Sequence, residues 1–385
     1  MPPAAKTQAL AAPNDGQTVR HESSERHSHP LDPVEGRRPH IWIPMLSARW
    51  HGGARVLLQF ANYCVSHGHR VTILCPSGHF TSNYELDSRV TVRNPGIRSG
   101  WKIVDYTSFL FAVPFALPRD GMAVANFFVT YFPVRLAALI RRTAYIYFVQ
   151  DIECKYAGIG GWILNQVCKS TYADKHIVAA NPYLGDRLAR EFGRRCESIQ
   201  VGPAEIFYRR PMTRPKEFDI IYFLRRESWK GLDRFRRFVA LCGRRVSILC
   251  ISQDDALLSD MRREGMLACR KPADDEELID CIDSARVLLY TSYEEGFALP
   301  PLEAMARGVP PIMYRCGGPD IYVRHGVNSL YVQDEAEAVE TVLRVIETRS
   351  IYQSLSAEGM ATAAQYRMEA GLERLLASLV QAAAR

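Results

Sequence analysis

None of the ten cysteines stands in a C-x-x-C pair, so neither a zinc site nor a dithiol redox couple is indicated. No apolar run reaches the roughly 18 residues that a membrane-crossing helix needs. The opening, MPPAAKTQALAAPNDG, has no long apolar centre, and no signal peptide is expected there. G-x-G-x-x-G is absent, which removes the dinucleotide-binding fingerprint. Most cysteines lie in apolar stretches, which fits buried thiols in a reducing cytoplasm.

What is present is an ordinary globular composition, 47% hydrophobic and 23% charged over 385 residues, long enough for two or three domains. Charge is unevenly spread. Residues 39–210 carry 20 basic against 11 acidic residues, a net +9, and residues 211–365 carry 20 against 24, a net −4. The basic half suggests an anionic partner such as a lipid carrier, a membrane surface or an acidic glycan, with a solvated arginine-rich surface as the alternative. Residues 1–38, rich in Pro, Ala, Ser, Glu and His, are read as a disordered tail, and His21, His27 and His29 as part of it rather than as metal ligands.

From residue 40 onward short apolar runs alternate with helical spacers. IWIPML (41–46), VTILC (71–75), AVANFF (123–128), AYIYFV (144–149) and HIVAA (176–180) read as strands, with a helix from Ala54 to Ser66 after the first. IIYFL (220–224), VSILCI (246–251) and VLLYTS (287–292) resume the series after a Pro- and Arg-containing connector at 201–218. Nearly continuous apolar runs of this kind are buried parallel strands. The expected fold is α/β: two doubly wound Rossmann-like domains, 39–210 and 211–365, facing across a cleft, with ligands at the carboxyl ends of the strands. Residues 366–385 are read as a packing helix.

Three segments can carry chemistry. EEGFALPPLEAMARG (294–308) follows a strand; Gly296 permits a sharp turn, Pro300 and Pro301 suit the first turn of a helix, and Gly308 stops it. The N–H groups around Gly296, Phe297, Ala298 and Leu299 then sit at a helix N-terminus, a place that binds phosphate or sugar oxygens. Glu303, one turn in, can accept two bonds from a vicinal diol, each worth about 1.5–3 kcal/mol. A plain strand–loop–helix crossover with surface glutamates is the alternative. In LRRESWKG (224–231), Arg225 and Lys230 lie just past a strand end, where a diphosphate needs compensating cations; a solvated basic loop is the alternative. In HGGAR (51–55), Gly52 and Gly53 allow a ligand to approach the backbone.

These segments resemble the retaining nucleotide-sugar glycosyltransferases of family 4, which have the GT-B fold. TSYEEGFALPPLEAMARG follows the pattern P-S-x-x-E-G-F-G-L-P-x-L-E-A-M-A-x-G, LRRESWKG follows G-R-x-x-x-x-K-G, and HGGAR and HGHRVTIL resemble the G-G-A-E opening and the G-H-x-V-T strand. The resemblance spans about residues 40–365, in order. It implies that Arg225 and Lys230 bind the donor diphosphate and that Glu303 holds the ribose hydroxyls. Glu295 and the backbone of Phe297, Ala298 and Leu299 contact the donor sugar, and Gly52 and Gly53 close over the phosphates. QDIE (150–153) resembles the Q-D-x-E of a bacterial cell-surface polysaccharide branch that includes rhamnosyltransferases, and implies Asp151 or Glu153 beside the acceptor. Leu224 replaces a family glycine, Ala298 replaces the second glycine of E-G-F-G, and in GGPDI the acid Asp320 comes one residue early, which puts contacts at Gly317 and Gly318 in doubt. The D-x-D motif of metal-dependent glycosyltransferases is absent, so neither metal nor other cofactor is expected.

His51 is read as a turn residue ahead of a donor contact. The stretch 101–118 is read as a core helix or acceptor-pocket wall ahead of a membrane-docking surface, and 273–285 as an N-capped amphipathic helix. The expected function is transfer of a sugar from a nucleotide-sugar to a glycan or polyprenyl-linked acceptor in cell-surface polysaccharide synthesis. The protein is expected to be cytoplasmic or peripheral on an anionic inner membrane, with no nucleic-acid partner. A sugar-nucleotide epimerase, which acts without acceptor, and a non-catalytic nucleotide-sugar or glycan-binding protein are the alternatives.

Overall fold

The computed structural model describes residues 38–48, 52–80, 84–119, 121–156, 158–209, 211, 214–265 and 268–384. His51 and the tail up to residue 37 lie outside them.

The first half contributes β1 (Ile41–Pro44), β2 (Val71–Leu74), β3 (Thr91–Arg93), β4 (Met122–Ala125), β5 (Ala144–Val149), β6 (Ile177–Ala179) and β7 (Glu197–Ser198). They form one sheet in the order β3-β2-β1-β4-β5-β6-β7, parallel at every pairing. Its helices are α1 (Gly52–Ser66), α2 (Lys102–Ala116), α3 (Phe128–Arg141), α4 (Gly158–Thr171) and α5 (Pro182–Phe192), and α6 (Ile206–Arg209) lies in the connector. The run at 123–128 is not all strand. Its last residue, Phe128, opens α3 behind the extended Phe127, so the apolar pattern continues while the chain reverses.

The second half contributes β8 (Phe218–Phe223), β9 (Ile248–Ile251), β10 (Ala268–Arg270), β11 (Ala285–Tyr290), β12 (Pro311–Met313) and β13 (Leu330–Tyr331). They form a parallel sheet in the order β10-β9-β8-β11-β12-β13. Its helices are α7 (Leu232–Cys242), α8 (Asp255–Arg263), α9 (Asp275–Asp283), α10 (Leu299–Ala306), α11 (Glu335–Glu347) and α12 (Arg349–Ala363), followed by α13 (Met368–Ala383). Asp254, Asp274 and Asp334 each accept a bond from the backbone N–H three residues on, which fixes where α8, α9 and α11 begin.

Right-handed crossovers distribute the helices of the first sheet. The chain moves one way along the sheet from β3 through β4 and β5 to β6, so α2, α3 and α4 share a face. It moves the other way from β1 to β2, so α1 lies on the opposite face. There α13 returns from the far end of the chain and packs on α1, β4 and β5. One apolar cluster runs from the first sheet through α13 and α10, and a smaller one, including Leu224, fills the remaining face of the second sheet.

In both sheets the strand order reverses near the middle, between β1 and β4 and between β8 and β11. Such switch points open a crevice at the carboxyl ends of the strands. At that crevice stand Gly52 and Gly53, the first residues of α1, and Phe127 from the first sheet, and Arg225, Lys230 and residues 291–298 from the second.

Candidate active site

A cavity of about 610 Å³ lies between the two switch points. Its walls include Gly52, Gly53 and Asp151 from the first half, Arg225 and Lys230 from the loop after β8, and Glu295, Gly296, Phe297, Ala298, Leu299 and Glu303 from the loop and helix after β11. All residues assigned to a site from the sequence are thus gathered around one space, except Glu153.

The loop after β11 is held tightly. Gly318 N–H donates to the Glu295 carbonyl at 3.0 Å, Glu295 N–H donates to the Cys316 carbonyl at 2.7 Å, and a Cβ on Gly318 would meet the Gly296 backbone at 2.4 Å. Gly317 and Gly318 therefore support the 295–297 loop from behind and do not line the cavity. From the first half, Asn181 caps α5 with its side-chain oxygen and donates from Nδ2 to the Gly296 carbonyl at 3.0 Å. A Cβ on Gly296 would press on Gln150 and Asp151, and one on Gly53 on the Gln150 side chain. The two halves meet there with no room for side chains.

Ala298 stands immediately before α10 with φ 63° and ψ 92°. Positive φ favours glycine, which explains the glycine in the related pattern and makes the alanine a strained substitution. Pro300 and Pro301 lack N–H groups, so the donors left near the start of α10 are those of Phe297, Ala298 and Leu299.

Three cations line the cavity, and two are balanced. Lys230 Nζ lies 2.8 and 2.9 Å from the two oxygens of Glu295, whose carboxylate also accepts from Tyr290 at 2.6 Å and Ser292 at 2.7 Å. Glu295 thus anchors Lys230. Arg55, on α1, reaches across from the first half and is almost wholly buried. It donates to Glu303 Oε1 at 3.0 Å and to Asp275 at 2.6 Å, beneath the rings of Tyr84 and Phe207. Burial disfavours its charge, but Glu303, Tyr84 and Asp275 outweigh that and hold its pKa above the ordinary arginine value. Glu303 is pushed above the usual carboxylate range by burial, with Arg55 pulling it back. Arg225 is the third cation, and it has no ion-pair partner among the described residues.

On the first-half wall of the cavity, Asp151 accepts from its neighbour's backbone N–H, Ile152, at 2.8 Å and pairs with Lys155 at 2.9 Å. Glu153 is turned elsewhere. It accepts from the first N–H of α3, that of Phe128, at 2.8 Å and from the Tyr147 hydroxyl at 3.3 Å. Desolvation pushes its pKa up to about 8 against the lowering effect of that N–H. It caps α3 and does not line the cavity. Leu224 is fully buried in the second core, so the missing glycine costs the cavity no space. The stretch 101–118 does not wall the cavity. Asp275 and Asn181 lie outside the three motifs and Arg55 is the last residue of HGGAR, but the role of each appears only once the halves are assembled.

Residues 270–361 match the family described as glycosyl transferases group 1. A D-inositol 3-phosphate glycosyltransferase of Streptomyces griseus is 34% identical over 97 residues, which is 25% of this chain and 21% of that protein. The chain thus spans about a fifth of the length of the curated relative it matches. Among solved structures, Anabaena HepE in complex with UDP and glucose superposes with a TM-score of 0.69 at 16% identity, over 89% of this chain and 100% of that one. Sucrose-phosphate synthase from Thermosynechococcus elongatus superposes with a TM-score of 0.71 at 15% identity, over 89% and 99%. At those identities the likeness is one of fold. The chain has the GT-B fold, two Rossmann-like halves, and residues 270–361 of its second half match the glycosyl transferases group 1 family.

Proposed function

We propose that this protein is a glycosyltransferase that moves a sugar, with retention of anomeric configuration, from a nucleotide-sugar to a glycan or lipid-linked glycan used in cell-surface polysaccharide synthesis. The observation that carries the reading is the uncompensated Arg225 in a cavity that also holds the start of α10. Arg225 is half-buried and has no carboxylate partner among the described residues, so an anion entering the cavity meets an unpaired guanidinium, and a helix start adds backbone donors to the same place. A diphosphate fits both. Glu303 keeps Oε2 clear of hydrogen-bond donors among the described residues, since Arg55 takes Oε1, and this suits a ribose diol. The UDP and glucose bound by Anabaena HepE, in a protein of the same fold, agree with a donor of this class.

In the reaction the bond from the anomeric carbon to the diphosphate breaks, and the acceptor hydroxyl oxygen bonds that carbon while its proton passes to an oxygen of the departing diphosphate. Negative charge grows on the departing diphosphate, where Arg225, Lys230 and the N–H groups at α10 stabilise it. Asp151 lies on the acceptor side. Arg225→Ala and Lys230→Ala should each lower turnover by about 10²-fold or more; near-normal turnover in both would sink the assignment. Transfer should survive EDTA, and NMR of the product should show the donor's anomeric configuration. An inverted product would refute retention and make Asp151 the general base.

A further inference from the structure

The outer layer formed by α2, α3 and α4 is apolar where it faces solvent. On α2, Ile103 is 80% and Phe111 79% exposed, with Phe115 and the preceding Trp101 also outside. That helix is apolar on both sides, since Phe109 and Val113 are buried beneath it, and an all-apolar helix needs cover on each. α3 packs between α2 and α4 and exposes Leu139 and Ile140. α4 exposes Trp162 and Ile163. Monomeric proteins rarely leave so continuous an apolar surface uncovered.

Charge identifies what covers it. Among the described residues of the three helices the one acidic side chain is Asp105, and it is buried, its carboxylate accepting from the backbone and hydroxyl of Ser99. Exposed Lys102, Arg119, Arg142 and Lys169 stand at or just beyond helix ends and have no carboxylate partner among the described residues. A protein partner or a second copy would be expected to leave some acid on such a surface. An apolar layer rimmed by tryptophans and by cations with no ion-pair partner, with no exposed acid among the described residues of its three helices, matches an anionic bilayer. Among the described residues no helix is long and apolar enough to cross one, so the contact is from one side.

We infer that the α2–α3–α4 face docks on an anionic lipid surface. α3 begins at the cavity, with Phe127 at its N-cap position, and the segment that leads to α4 starts there at Gln150 and Asp151; all three residues line it. The docked face therefore ends at the acceptor side. The inference rests on the proposed transfer only in supplying a reason for that placement, namely an acceptor held in the membrane.

The test is flotation of the full chain with phosphatidylglycerol-containing and purely phosphatidylcholine vesicles, at low and high salt, with no donor or acceptor. The chain should float with the anionic vesicles at low salt and sink at high salt. Phe111→Ser with Phe115→Ser should abolish flotation. Lys169→Glu with Arg142→Asn should weaken it by about fivefold or more per cation removed. Neither pair lines the cavity, so nucleotide binding should persist in both and will show that they fold. Wild-type protein remaining at the bottom with anionic vesicles at low salt overturns the inference. So does a dimer in light scattering that the Phe111→Ser, Phe115→Ser variant converts to monomer, because the face would then be covered by a second copy. Loss of nucleotide binding with flotation intact would instead count against the donor site alone.

Discussion

At the scale of single residues, the cavity is a set of charges in which pairing decides role. Glu295 accepts four hydrogen bonds from three side chains, those of Lys230, Tyr290 and Ser292, so its direct effect is to fix Lys230. Glu303 is shared between Arg55 and whatever enters the cavity. Truncating Arg55 would strand the buried Glu303 and the half-buried Asp275, a loss of about 3–5 kcal/mol by comparison with other broken buried pairs, so Arg55 is a positioning residue whose removal threatens the fold. Ala298 offers a sharper test. A non-glycine residue at positive φ costs about 1–2 kcal/mol, while a new glycine gives back about 0.4–1 kcal/mol through the unfolded chain. The first term is larger, so Ala298→Gly should stabilise the protein by about 0.5–1 kcal/mol. A fall in melting temperature would show that the alanine is not strained.

At the scale of elements, the start of α3 depends on a carboxyl group with an abnormal pKa. Glu153 titrates near 8 in the folded protein, against an ordinary value of 4.5. The folded state then holds a proton that the unfolded chain has lost, so this group's contribution declines as pH rises from about 4.5 to about 8 and is level beyond. Glu153→Gln cannot ionise, so its melting temperature relative to wild type should climb across that window; a constant difference would refute the shifted pKa. The same element shows how far sequence reading reaches. Runs of four or more apolar residues gave away β1, β2, β5, β8, β9 and β11. The exposed TVR of β3, the two residues each of β7 and β13, and the triplets of β10 and β12 are too short to display any period. The motif residues were legible because their spacing is local. Arg55 with Glu303 and Asp275, 248 and 220 positions away, and Asn181 with Gly296, 115 away, were not, because only the assembled halves bring them together. The exposed face of α3 and α4 was missed for a related reason, since sequence does not say which apolar side of a helix the sheet leaves open.

At the scale of the whole molecule, two sheets with the same kind of reversal face each other, and their switch points converge on one space. The contacts that hold them there are polar and cross the cleft: Arg55 to Glu303, Asn181 to Gly296, and Arg187 to Glu294 at 2.6 Å. The helix α13 adds an apolar tie from the end of the second half back onto the first sheet. Such an arrangement suits a donor gripped from the second half and an acceptor presented from the first. The central claim is the donor, and it is tested most directly by the melting temperature of wild type and Arg225→Ala across a panel of nucleoside diphosphates and nucleotide-sugars. At about 100 times its dissociation constant a true ligand adds about 2.7 kcal/mol of stability. At least one nucleotide-sugar should raise the wild-type melting temperature, and the same compound should do little for Arg225→Ala. A panel in which nothing stabilises the wild type, or in which the variant responds equally, would contradict the account.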